Sequence, residues 1–194
     1  MKSLVLFCLV FLSGFTIAQK SNFGKNTINA NAGLTIPVYG NYLRENWNIG
    51  PYLSFNMIRE LREISILFGI DYEYLRKAED KLKVVTPVAG VQHVINIKQF
   101  EILYGICVGY SWVNFTVGKG VVTIPPVQYS KYRLDGLSTS LDIKLVYTIS
   151  DLLKISLGVE HLNIFQSIEL EGTKPDESKT IGLVRPNISV LYKF

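Results

Sequence analysis

The chain carries two histidines, His93 and His161, and they are the first residues to test for acid–base chemistry. A hydrolase or acyltransferase would need a nucleophile and a base held in register. Ser167 and Glu169 lie near His161, but in a polar segment and at no defined spacing. Gly118-Lys119-Gly120 lacks the flanking glycine and the Ser/Thr of a phosphate-binding loop. His93 interrupts an apolar alternation, where a bulge or register shift is expected rather than a ligand. No catalytic, cofactor or metal residue can be named, and an enzyme is not expected. What remains is charge. Asp71, Glu73, Asp142 and Glu160 are acidic and Lys144, Lys154, Arg185 and Lys193 are basic, each on the polar side of an alternating segment. Four of each sign invite pairing, provided the chain places them on one enclosed surface.

The elements that would do so are strands. Apolar and polar residues alternate with period two in eight stretches: Thr27 to Ile36, Trp47 to Met57, Ile64 to Tyr74, Val84 to Ile97, Phe100 to Trp112, Leu137 to Ile149, Lys154 to Phe165, and Thr180 to Phe194. Most are longer than the ~5–6 residues usual in globular proteins and match the ~9–11 needed to cross a bilayer. Polar loops are expected after the first, third, fifth and seventh strands. Tight turns are expected after the second (Arg59 to Arg62), the fourth (Lys98-Gln99) and the sixth (Ser150 to Leu152). In the last stretch, PNISVLYKF, only Leu191 breaks the alternation.

Charged residues make up 19% of the chain, and the mean hydropathy is +0.23. No internal apolar run approaches the ~18 residues of a spanning helix. Lys2, the apolar run Leu4 to Leu12 and the small residues before Gln19 read as a secretory signal peptide. The expected organisation is residues 1–18 as signal peptide, cut after Ala18, and 19–194 as one barrel domain. Cutting there removes Lys2 and leaves a net charge of +3, too small and dispersed to argue for nucleic acid. Cys107 is then the remaining cysteine, which excludes an internal disulfide.

Aromatic residues decide which face meets lipid. On the apolar face, Trp47, Tyr72, Tyr74, Tyr110 and Trp112 fall at the loop end, and Tyr104, Tyr147, Tyr192 and Phe194 at the turn end, with an aliphatic band between. Two aromatic girdles match two membrane–water interfaces. The expected fold is therefore all-β: an eight-stranded antiparallel up-and-down transmembrane β-barrel.

The eight-strand layout and the terminal ISVLYKF resemble the small bacterial outer-membrane β-barrel family of the OmpA/OmpX size class, and most closely the PorT-like barrel domains of Bacteroidota-type envelopes. The resemblance covers residues 27–194. It implies that Ile188, Val190, Tyr192 and Phe194 form an assembly signal for the barrel assembly machinery. It carries no catalytic or ligand residue. With outer-membrane lipid as its surroundings, the chain is expected to have a structural or interaction role in the envelope. The alternatives are a narrow passive pore or small-ligand carrier and, third, a lipid-modifying enzyme. The apolar stretch 117–132 in the longest connection could meet an envelope protein partner, or could extend the flanking strands as a hairpin. Inside the barrel, Arg185 is expected to pair with Glu160, with Asp71 or Glu73 as further partners.

Overall fold

The computed structural model describes residues 25–39, 48–61, 64–77, 80–116, 135–166 and 179–194. They form β1 (Asn26–Tyr39), β2 (Gly50–Leu61), β3 (Ile64–Lys77), β4 (Asp80–Ile97), β5 (Phe100–Thr116), β6 (Gly136–Thr148), β7 (Leu153–Gln166) and β8 (Lys179–Lys193). Each strand pairs antiparallel with its neighbours in sequence, and β8 returns to β1, closing the barrel. Phe194 N donates to Asn26 O at 3.0 Å, and Lys193 N to Leu152 O at 2.8 Å, so the last two residues are tied to both neighbouring walls.

Period-two alternation sets the two faces. In β6, Ser138, Ser140, Asp142, Lys144 and Val146 point into the barrel and are buried, while Leu137, Leu141, Ile143, Leu145 and Tyr147 point out and are exposed. Ile143 is 62% exposed, Leu157 64% and Ile188 60%. A soluble barrel would show the reverse order, since apolar surface of this extent is not left in water. Lipid is the phase that covers it. The fold is an eight-stranded antiparallel transmembrane β-barrel.

Several boundaries differ from the sequence reading. Arg59, Glu60 and Leu61 continue β2 rather than forming a turn, and Asn114 to Thr116 continue β5. The largest difference is the third connection. Arg76 to Lys83 reads as a charged loop, yet β3 runs to Lys77 and β4 starts at Asp80, with Lys77 and Asp80 paired. Leu75 and Leu82 explain this. They oppose each other in the ladder, point inward and are almost fully buried. Arg76, Lys77 and Lys81, between them in sequence, lie on strand and are exposed. The bulge expected at His93 is absent: the β3–β4 and β4–β5 registers run unbroken through Ile64↔His93 and His93↔Tyr104. Among the described pairings, the register shift lies instead between Pro37 and Tyr39, in β1 against β8.

The Lys98-Gln99 turn is as expected, with Lys98 at a positive φ of 54°, a conformation costing a lysine ~1–2 kcal/mol. After β6, Ser150 O and Oγ both accept from Leu153 N, which closes the next turn and leaves Ile149 outside the strand. Residues 1–18, Trp47, Gly118 to Gly120, the stretch 117–132, Ser167 and Glu169 lie outside the described residues.

A charge on the outer face therefore meets hydrocarbon. Leu141→Arg, near the middle of the apolar band, should lose about 2–4 kcal/mol of unfolding free energy in lipid vesicles, whereas Leu141→Ile should change it little. Urea titration of the folded barrel reads this directly, and full tolerance of Arg at 141 would contradict the assignment of faces.

Candidate functional site in the barrel lumen

Arg185 sits on the inner face of β8 with no exposed surface. Its Nη1 donates to Asp71 Oδ2 at 2.9 Å and to Glu160 Oε1 at 3.2 Å, and its Nη2 pairs with Glu73 Oε1. The strand register makes this possible. Glu160 is the direct neighbour of Arg185 across β7–β8, while Asp71 and Glu73 reach in from β3 across the lumen. Tyr52 on β2 adds two contacts. Its hydroxyl donates to Glu160 Oε2 at 2.9 Å, and its ring lies 4.7 Å below the guanidinium, within cation–π range. The planar fork of arginine suits three acceptors in different directions.

A second ion pair lies beside the first. Lys144 Nζ is 2.9 Å from Asp142 Oδ2, and both side chains are buried. Gly158, opposite Lys144 in the ladder, makes room for it: a Cβ there would lie 2.5 Å from Lys144 Cγ. Among the described residues, the middle of the barrel thus holds four carboxylates (Asp71, Glu73, Asp142, Glu160) and two cations (Lys144, Arg185), all in or beside these pairs. Hydroxyl and amide groups fill the same level. Thr86 and Ser111 hydroxyls meet at 2.8 Å, Asn31 Nδ2 donates to Ser54 Oγ at 3.1 Å, and Ser156 pairs with Ser189.

Lys154 and Lys193 do not join this cluster. They face the lumen lower down, at the turn end, where Lys154 Nζ lies 2.6 Å from Glu101 Oε1 and Lys193 Nζ 2.7 Å from Glu60 Oε2. Thr27 Oγ1 also donates to Glu60, at 3.1 Å. Glu60 and Glu101 were missed in the sequence because each sits beside a tight turn, where a charge reads as solvated. The equal count of inward charges is corrected accordingly: the mouth is balanced, and the sealed middle carries two more carboxylates than cations.

Two apolar layers were also missed. Toward the loop end, Leu75, Leu82, Val113, Leu162, Ile164 and Leu183 close over the Arg185 cluster. Toward the turn end, Ile58, Leu67, Leu103, Cys107, Val146 and Leu191 close beneath it. Leu191, which breaks the alternation of PNISVLYKF by residue type, keeps it in space, since its buried side chain belongs to the lower layer. Between that layer and the charges, the space lined by Tyr52, Asp71, Cys107, Asp142 and Glu160 amounts to about 10 Å³, close to the volume of a single water probe. A second space, of about 30 Å³, lies nearer the turn end among Glu60, Gln92, Glu101, Lys154 and Lys193, so among the described residues the lumen has room for no more than a few waters.

The outer surface carries the girdle residues. Tyr110 and Trp112 pack edge to face at 5.8 Å toward the loop end, where Tyr72 and Tyr74 also lie. Toward the turn end, Phe100 and Tyr147 rings lie 5.5 Å apart, and the His93 ring lies 5.1 Å from that of Tyr104, tilted against it. Outward Ile188, Val190, Tyr192 and Phe194 are all exposed to the surrounding phase. His161 lies on the outward side of β7.

No family model and no curated protein matches the sequence. Solved structures do match the fold, which is that of small outer-membrane β-barrels. Neisserial surface protein A aligns over 87% of this chain and 97% of its own, with 9% identity and a TM-score of 0.66. Ail, the attachment invasion locus protein of Yersinia pestis, aligns over 89% and 99%, with 12% identity and a TM-score of 0.55. A major outer membrane protein from Thermus thermophilus aligns over 88% and 99%, with 13% identity and a TM-score of 0.52.

The arrangement around Arg185 makes the two ends of one pair unequal. Arg185→Met strands three carboxylates and should cost about 3–5 kcal/mol. Glu160→Leu leaves Arg185 two carboxylates and should cost clearly less. In a double-mutant cycle the pair should couple by roughly 1–3 kcal/mol, and strictly additive losses would contradict a shared network.

Proposed function

We propose that the chain is an integral protein of the bacterial outer membrane whose closed barrel serves a structural or interaction role in the envelope. The observation that supports this reading is the filled lumen. A buried charge cluster lies between two apolar layers, with about 10 Å³ of space among the central side chains. Such an interior leaves no route for hydrated solutes, which separates this reading from that of a narrow pore. The useful surfaces are then the outer wall and the connections beyond the loop end. The apolar stretch 117–132 is the segment best suited by composition to meet an envelope protein.

Export fits the same reading: residues 1–18 act as a signal peptide cut after Ala18, and the Ile188-Val190-Tyr192-Phe194 face of β8 presents the assembly signal to the barrel machinery. The finer kinship proposed is with PorT-like barrels of Bacteroidota-type envelopes, on the strength of the eight-strand layout and the terminal strand. Purified from membranes, the protein should have an intact mass that begins at Gln19. In planar bilayers it should show no steady conductance. Steady ion conduction by the wild type would overturn the filled-barrel reading in favour of a pore.

A further inference from the structure

Two rungs of the ladder carry a glycine on the inner face. Gly105 of β5 stands between Gln92 of β4 and Asp142 of β6, as direct neighbour of both. A Cβ there would lie 2.7 Å from Gln92 Cγ. Gly69 of β3 is opposite Asn56 of β2, and a Cβ there would collide with Asn56 Oδ1. Glycine inside a strand weakens it and often marks a site of close approach. Here the two glycines leave room for Asn56, Gln92 and Asp142, which line the same space of about 10 Å³.

All three side chains are more than nine-tenths buried, with Asn56 5%, Gln92 3% and Asp142 6% exposed. In each, one acceptor oxygen has no donor among the described residues: Asn56 Oδ1, Gln92 Oε1 and Asp142 Oδ1. Their other polar atoms are engaged. Asn56 Nδ2 donates to Ser54 Oγ at 2.7 Å, Gln92 Nε2 lies 3.5 Å from Asp142 Oδ2, and the same Oδ2 holds Lys144 Nζ at 2.9 Å. Three acceptors around room for a single water outnumber the two protons that a water donates. The compartment also holds more carboxylates than cations among the described residues. A cation answers both conditions, taking all three oxygens as ligands and offsetting part of the excess charge. We propose that this space binds one small, hard cation of the sodium class. Oxygen donors suit hard cations, and two neutral amides with one carboxylate supply a single negative charge, which fits a monovalent ion. Among the described residues no group of three or more His, Cys, Asp or Glu side chains is placed to hold a metal, and calcium needs six to eight oxygens, more than converge here. Asp71 and Glu160 line the same space but stay paired with Arg185. With apolar layers above and below, the ion is enclosed as the barrel closes. The inference rests on the filled-lumen reading above, and it adds a ligand to it.

The test uses the full chain refolded in neutral detergent micelles at constant ionic strength, with sodium chloride exchanged stepwise for caesium chloride. Folding is followed by heat-modifiable gel migration and urea titration. A ligand held only by the folded state raises the folding constant in proportion to its concentration above its dissociation constant, so a tenfold rise in sodium there should give about a tenfold rise in the folding constant. Caesium, too large for the space, should give none. Barrels refolded with radioactive sodium should retain one ion each through gel filtration, a result that needs no substitution to be decisive. Asn56→Leu and Gln92→Met, close in size but lacking the oxygen, should lose the sodium response and the retention. Gln92→Glu, which keeps an oxygen in place, should preserve both. Equal responses to sodium and caesium, or retention by both oxygen-free variants, would overturn the proposal. A barrel whose stability ignores sodium and which takes up protons on folding would overturn it too, by assigning the excess charge to protons. Failure of the sodium tests with silent planar bilayers rejects the cation site alone. Steady conduction in those bilayers rejects the filled lumen with it.

Discussion

Everything inside this barrel is arranged around one guanidinium that has lost its water. Taking an ion from water into a dry interior costs several kcal/mol even after relaxation, and only close, well-directed partners offset it. Arg185 on β8 has three carboxylates and an aromatic face around it, supplied by β2, β3 and β7. Those strands cannot slide by one residue without turning every inward side chain outward. The cluster therefore fixes the barrel's register as well as filling its centre. Lys144, Asp142 and Gly158 continue the constraint into β6, where the missing side chain at 158 is the space the lysine stem occupies.

The apolar layers give this cluster its meaning. A charge network open to water is screened and weak, whereas one closed above and below by leucine, isoleucine and valine is not. Leu75 and Leu82 show how far this reaches. By burying themselves over the cluster, they hold the β3–β4 ladder together past Tyr74, as far as Lys77 and Asp80. The same extension carries Arg76 and Lys81 one step past the Tyr74–Lys83 row on the outer face. Interior closure and outer charge thus arise from one lengthened hairpin.

The sequence revealed the fold more fully than the site, for reasons that lie in particular residues. Strand alternation survives any choice of inward residue, so the eight strands, the aromatic rows and the outward face of β6 were legible. The Arg185–Glu160 neighbourhood was legible too, because depth along adjacent strands can be counted. Glu60 and Glu101 were hidden by position, each next to a turn. Leu67, Leu103, Val146 and Leu191 were hidden by type, since an apolar residue on the polar side of a strand looks like noise until the lumen is seen to need it. His93 misled because a polar residue on an apolar face suggested a break, whereas the ladder runs on through it and its ring packs, tilted, beside that of Tyr104.

Cys107 offers the most direct test of the sealed lumen. It points inward from β5, is 6% exposed, and lines the small space just beneath the Arg185 cluster. The measurement is its rate of modification by a small cationic methanethiosulfonate, in the folded barrel and after urea unfolding, with peptide mapping to separate it from Cys8. A sealed lumen predicts that folding slows the reaction by orders of magnitude, with reagent supplied to either side of the membrane. Comparable rates in the folded and unfolded protein would show water and solute moving past Arg185, and would contradict the account at its centre.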